Sequence, residues 1–379
     1  MHPVEMPSGR LDPAWSDDQV IAAVTQIADG PLADAAHRID RGHYPLDVMA
    51  SLGQAGAFAA HLDCAGRRVG LALDAMRAIS RRCGSTGFLT WCHDVCGLYL
   101  EQSANPALTG EFLRGHMTGR TFGGTALSNP MKALAGIEKM LLRAVRAPGG
   151  YRVSGALPWV SHIAPGQYCG AIAGVHRDDG TPSHELMFLL RLDDRVTLRQ
   201  CPEFSGMEGT STWGIRLDDY FVGEDAVIAD PARPFIARIR AAFILLQAGM
   251  ALGVAQGSLD AIGEVEPVLG HVNRFLDDRP GELAAEYDEL NQRVQHLALT
   301  PYDGSKEYLL DVLDARAQGA ELAMRAAQSS LMHQGARGYL ADAAPQRRIR
   351  EAQFVAIVTP ALKHLRWEMD RLSKEEMPQ

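Results

Sequence analysis

The hydrophobic period changes twice along this chain, and that double change restricts the fold more than any other feature. Residues 15–120 space their apolar residues as helices do. Asp17 and Asp18 precede a periodic run from Val20 to Ile27, and Leu46–Phe58, Gly70–Ile79, Cys92–Leu100 and Pro106–His116 continue the pattern. Residues 121–232 switch to two-residue alternation broken by Gly, Asp and Pro, as in Tyr151–Val153, Gln167–Val175 and Glu185–Arg191. His176–Gly180 is a turn signal between two such runs. After Pro231 and Pro234 the helical period returns in Phe235–Val265, Ala284–Leu299, Ser305–His333 and Pro345–Lys374. A helical pattern buries one stripe and an alternating pattern buries one sheet face, so the two are not interchangeable. The chain therefore divides into helical (1–120), strand-rich (121–233) and helical (234–379) parts, an α+β fold that is mainly α.

Bulk properties narrow the function. A chain of 379 residues can bury a large core, in one integrated unit or two to three subdomains. A net charge of −9 and a pI near 5.8 argue against broad nucleic-acid binding. No basic signal segment and no apolar run long enough to span a bilayer stand out, so a soluble, cytoplasmic protein is expected. Six cysteines are too sparse for a disulfide framework. Cys92-His93-Asp94-Val95-Cys96 puts two thiols on one helix face, but no second ligand pair matches it, so no metal is expected there. The thirteen histidines form no HExxH or His-rich cluster. Residues 9–12 and the last few residues are expected to fray.

Two short segments carry the chemical interest. Gly123-Gly124-Thr125-Ala126-Leu127-Ser128-Asn129-Pro130 and Tyr151–His162 each place a hydroxyl, Ser128 or Ser161, beside apolar residues at a turn. Trp159 adds a flat ring with one N–H donor. Hydroxyls and amides beside an aromatic wall suit a planar, polar-edged ring such as an isoalloxazine. Two ordinary strands and a core tryptophan would read the same way.

Helices, then strands, then long helices is also the layout of the acyl-CoA dehydrogenase superfamily, and local sequence resembles it over most of the chain. Ala251–Asp260 looks like that family's small-residue helix. Ser205–Thr212 followed by Ile215–Val222 resembles the end of its β domain. Gly335-Ala336-Arg337-Gly338-Tyr339 resembles its glycine turn, with Arg347, Arg348 and Arg350 following. The resemblance implies an N-terminal helical domain, a central β-barrel-like domain and a C-terminal four-helix bundle. It also implies FAD between the last two, in a site completed by a second subunit of a dimer or tetramer. Thr125, Leu127 and Ser128 would approach the pyrimidine side of the ring, and Trp159 and Ser161 its N5/O4 side. Arg279 would meet the diphosphate, or else is a surface arginine beside Pro280-Gly281. Gly335 and Gly338 would approach the neighbouring subunit's cofactor. His333 and His364 lie near that region by resemblance and read as structural or solvated.

The chain departs from the family where chemistry is decided. Acyl-CoA dehydrogenation needs a carboxylate to take the α-proton. Of its two familiar positions, one is Thr359, after Arg350-Glu351-Ala352, and the other is Phe243. Glu208 and Glu351 are weak substitutes. The loop that contacts coenzyme A reads Met131-Lys132-Ala133-Leu134-Ala135, without the family's serine and aspartate. Val358-Thr359-Pro360 resembles a monooxygenase branch of the fold, although that branch's histidines are Val355 and Val358 here. His162 could face oxygen chemistry there or be a strand-end hydrogen bonder. Three functions follow. The first is an FAD-dependent oxidoreductase on a CH–CH bond of an acyl thioester, served by an electron-transfer flavoprotein. The second is a monooxygenase fed reduced flavin, FAD or FMN, by a separate reductase. The third is a non-catalytic flavoprotein.

Overall fold

The computed structural model describes residues 16–374, so residues 9–12 and the extreme C-terminus lie outside it. The first part holds α1 (Asp17–Ile27), α2 (Ala33–Asp40), α3 (Leu46–Gln54), α4 (Val69–Arg82), α5 (Gly84–Gln102) and α6 (Gly110–Met117). Ser16 starts α1 with a capping box: its hydroxyl accepts the Gln19 N–H at 3.3 Å, and Gln19 Oε1 accepts the Ser16 N–H at 2.9 Å. α5 is buried on every side from Gly84 to Leu100, because it runs through the middle of the molecule.

The central part contains β1 (Gly123–Thr125), α7 (Ser128–Leu134), β2 (Leu142–Ala147), β3 (Gly150–Val160), β4 (Tyr168–His176), β5 (Pro182–Arg191), β6 (Thr197–Gln200), β7 (Trp213–Gly223) and β8 (Val227–Ala229). They form one mixed sheet in the order β6-β7-β3-β2-β4-β5-β8, with β1 beside β4. The expectation of a barrel-like domain is corrected here, because the sheet is open. Its terminal strands, β6 and β8, have four and three residues and do not pair with each other. Pro231 then turns the chain into a helix. The pleat divides two cores. Tyr168, Ile172, Met187 and Leu189 point into the helical core, while Cys169, Ala171, Phe188 and Leu190 join a second core within the sheet.

The last part holds α8 (Ala232–Asn273), α9 (Pro280–Leu297), α10 (Lys306–Gln334), α11 (Ala344–Ile357) and α12 (Leu362–Lys374). Among the described residues these are five helices, not the four expected. The predicted run Pro345–Lys374 breaks because Pro360 lacks an N–H and disfavours helical geometry at Thr359. α8 also corrects the reading that no apolar run could span a bilayer. It is long and apolar enough, but 83% of its most apolar window is buried inside the protein, against α4, α5 and α10. Residues of both helical parts share one apolar core.

Candidate active site

A cavity of about 650 Å³ opens where the strand ends meet α5, α8 and α11, within the size range of small-molecule sites. Thr125, Leu127, Ser128, Trp159 and Ser161 all line it. So do Phe243 and Thr359, the two positions where a carboxylate base is missing. The strand end of β1 lies against that of β3 through a Thr125–Ser161 bridge. Gly124 permits this: a Cβ there would sit 2.7 Å from the Ser161 carbonyl oxygen.

One wall is built from hydroxyls. Ser161 Oγ lies 2.7 Å from Thr212 Oγ1, which lies 2.8 Å from Thr210 Oγ1, and Thr210 donates to the Met207 carbonyl. Thr125 Oγ1 pairs with Tyr99 Oη at 2.9 Å. Ser128 Oγ pairs with Thr359 Oγ1 at 2.9 Å, joining the sheet side to the end of α11. Each hydroxyl has one proton and two lone pairs, so this network keeps spare hydrogen-bonding capacity for a ligand. Trp159 stands 60% exposed at the wall, edge-on to Phe204.

The opposite wall is aromatic. Phe354, Phe88, Trp91 and Phe243 form a chain of ring contacts with centroids 4.6, 5.7 and 5.1 Å apart. The indole N–H of Trp91 donates to the Phe243 carbonyl at 3.2 Å, so no polar group of this wall faces the cavity unmet. Periodicity could not single out Phe88 and Trp91, because α5 is apolar on all faces and has no readable phase. Thr210 and Thr212 sit in a loop without periodicity, and their sequence signal was weak.

None of the described residues lining this cavity is a carboxylate. Its cations are already paired: Lys132 with Glu138 at 2.6 Å, and Arg350 with Asp40 in a two-pronged contact of 2.7 and 2.6 Å. Glu208 accepts the Phe204 N–H at 2.7 Å and lines a smaller neighbouring cavity instead. Glu351 is buried at the start of α5, where it accepts the Gly84 N–H at 2.9 Å and Arg347 Nε at 3.1 Å. Arg279 is exposed and pairs with Glu282 at 2.6 Å. Gly335 and Gly338 lie at the end of α10. Within one chain these three do not line the cavity.

His162 is also absent from the cavity. Its φ of 60° turns it behind Ser161, and its N–H donates to the Thr210 carbonyl at 2.9 Å. There it joins His61, His93 and His116, four fully buried imidazoles from distant parts of the sequence. His93 and His116 stack at 3.6 Å, each ring donating to the other's backbone carbonyl. The Tyr168 and Tyr44 hydroxyls meet His116 Nδ1 and His162 Nδ1 at 2.9 Å, while His162 Nε2 and His61 Nδ1 find no hydrogen-bond partner among the described residues. Burial holds all four neutral, with His61 pushed down to about 4 and His93 to about 3. Asp94 lies among them with neither carboxyl oxygen hydrogen-bonded, and burial raises its pKa far above the usual carboxylate range.

No family model matches the chain. Over 358 residues, 88% of this chain and 91% of the relative, it is 22% identical to a probable acyl-CoA dehydrogenase, YngJ, of Bacillus subtilis (strain 168). Its structure superposes on butyryl-CoA dehydrogenase from Megasphaera elsdenii with a TM-score of 0.82 at 15% identity, covering 97% of this chain and 99% of the other. The chain has the acyl-CoA dehydrogenase superfamily fold. The same fold also covers dibenzothiophene monooxygenase TdsC from Paenibacillus sp. A11-2, with a TM-score of 0.78 at 16% identity over 95% of this chain and 98% of that one. TdsC has been solved with FMN and with indole. The acyl-CoA dehydrogenase fold thus accommodates both a dehydrogenase and a monooxygenase, and the cavity residues must decide between them.

Proposed function

We propose that this chain is a reduced-flavin-dependent monooxygenase acting on a small, uncharged, largely apolar substrate. The observation that carries the reading is the cavity without a carboxylate: Thr359 and Phe243 occupy both places for a base, while hydroxyls form one wall and aromatic rings the other. Removing an α-proton from a thioester needs a base near the operating pH, and a threonine hydroxyl is far too weak. Hydroxylation of an apolar ring places no such demand on the protein.

The cavity fits a flavin ring. Ser161, Thr212, Thr125 and Ser128 offer hydroxyls to a polar edge, and Trp159 offers a flat face. Bound reduced flavin would supply the two electrons by which one atom of O2 enters the substrate and the other leaves as water. The chain's own part is to orient the ring with these donors, to hold the substrate against Phe88, Trp91, Phe243 and Phe354, and to exclude water from the apolar wall. A separate reductase would renew the reduced flavin, FAD or FMN. A second copy of the chain is expected to cover Val268, Val272, Phe275, Tyr339 and Leu340, large apolar residues exposed near Arg279 and Gly335, as part of a dimer or tetramer. The TdsC likeness supports this reading.

The alternative, a dehydrogenase of acyl thioesters with its base relocated, is supported by the length of the match to the Bacillus relative. Two measurements separate them. Anaerobic titrations with oxidised and reduced FAD and FMN give the four affinities. Indole is then supplied as a probe with reduced flavin and 18O2. Tighter binding of the reduced form and 18O-labelled product support the monooxygenase. Bleaching of tightly bound oxidised FAD by butyryl-CoA under argon, with no labelled product, would replace it with the dehydrogenase.

A further inference from the structure

Behind the cavity wall lies a charged side chain that the proposed chemistry has not used. Arg316 of α10 is 0% exposed. Its Nε donates to Gln247 Oε1 at 2.8 Å, its Nη2 to the Val355 carbonyl at 2.5 Å, and its Nη1 has no partner. Among the described residues no carboxylate meets it. Burial lowers its pKa to about 10, so it remains a cation at neutral pH. An unpaired charge in a protein interior is costly and calls for a physical reason.

Part of the reason is local. Val355 carries one of the last carbonyls of α11, where helical partners run out before Pro360. A cation there meets the negative end of the helix. That end amounts to about half a charge, so it offsets only part of the guanidinium. The rest of the arrangement points at the cavity. Gln247, also 0% exposed, donates its Nε2 to the Thr359 carbonyl at 2.9 Å. Thr359 in turn meets Ser128 across the wall, and Phe354, Val358 and Thr359 all line the cavity.

We propose that Arg316 and Gln247 are positioning residues: they clamp the break between α11 and α12 so that Thr359 faces Ser128, and they leave a net positive charge behind the wall that favours an anionic ring in the cavity. The proposal rests on the flavin reading, since reduced flavin is the anion concerned. Charge acts strongly at this depth because little water screens it.

Two substitutions at one buried position separate the clamp from the charge. Gln247→Glu keeps the volume and gives Arg316 a counterion, but its carboxylate cannot donate to the Thr359 carbonyl. Its effect on the redox ratio is therefore read against Gln247→Met, which loses the same tie without adding charge. Gln247→Glu should lower the ratio of reduced-flavin to oxidised-flavin affinity by about tenfold, measured anaerobically with FAD and FMN in parallel. Gln247→Met leaves the charge but cuts the tie to Thr359. It should weaken both redox forms together and keep their ratio within about threefold. An unchanged ratio in Gln247→Glu overturns the charge, and unchanged affinities in Gln247→Met overturn the clamp. Should either variant fail to fold, Arg316→Lys keeps the charge without the fork. It is expected to behave like Gln247→Met, and a collapsed ratio there counts against the proposal. If the unsubstituted protein binds flavin in neither redox state, the flavin reading itself falls, which is a different result from any of these.

Discussion

The cavity wall and the histidine layer behind it meet at consecutive residues, Ser161 and His162, and they hold polar groups in opposite ways. The wall presents hydroxyls that bond one another and retain capacity for a ligand. The layer presents imidazoles whose partners are mostly internal, and whose charge is suppressed by burial. Both are polar regions of one fold, the layer fully buried and the wall, Thr210 apart, half-buried or exposed. The difference teaches that a titratable residue next to a site residue in sequence need not serve the site. Hydroxyls can line a cavity at any pH without changing charge, whereas an imidazole there would add a proton switch.

The largest expected effect tests whether the layer is neutral. A histidine with a lowered folded pKa is neutral when folded and takes up a proton when unfolded below about pH 6.5. Stability is therefore fully present above that pH and is lost as pH falls toward the folded values, about 4 for His61 and about 3 for His93. Each such group steepens the loss by up to about 1.4 kcal/mol per pH unit. Urea midpoints at pH 7.5, 6.0 and 5.0 should fall steeply, and a flat profile would mean the imidazoles are not held neutral.

Truncating the aromatic wall comes next. Phe88→Ala or Trp91→Ala should lower stability by about 3–5 kcal/mol, because each removes a buried ring and leaves a cavity. Chemical denaturation measures it, and a loss below about 1 kcal/mol would mean that this wall collapses freely. Asp94 should respond with the opposite sign to the histidines. It is held protonated in the fold, so its contribution is present below about pH 3.8 and is lost as pH rises. Asp94→Asn should accordingly stabilise the protein by about 1 kcal/mol or more at pH 7.5, and by less at pH 5. A destabilised variant at pH 7.5 would show that the carboxyl is ionised and paired.

The smallest stability effects belong to the wall itself. Ser161→Ala should change stability by about 1 kcal/mol or less, since one partly exposed hydroxyl pair is lost, yet weaken flavin binding by about tenfold. Trp159→Ala should leave stability within about 0.5 kcal/mol, the ring being mostly exposed, and also weaken flavin binding. Isothermal titration beside a thermal melt separates the two quantities. Equal losses in both would erase the distinction between a ligand-facing wall and a structural layer.

Much of the architecture could be read from periodicity, because amphipathic helices and alternating strands each carry their own repeat. The sheet's open edges could not be read that way, since closure depends on which strands pair and not on any strand's own pattern. That Thr125, Leu127, Ser128, Trp159, Ser161, Phe243 and Thr359 line one cavity depends on tertiary packing and not on any segment's own pattern. Glu351 illustrates the limit. Its sequence neighbourhood allowed it to be a base, and only its contact with the start of α5 made it a cap.

By itself the sequence determined the order of helix, strand and helix and the absence of a carboxylate at positions 243 and 359, while the break at Pro360 inside the run Pro345–Lys374 went unread. That order and that absence are local matters of period and residue identity. Only the tertiary structure decided that His162 turns away from the site, that four scattered histidines share one layer, and that Arg316 stands uncompensated behind Thr359. Those outcomes depend on long-range packing, which sets both the neighbours of each polar group and the water it loses.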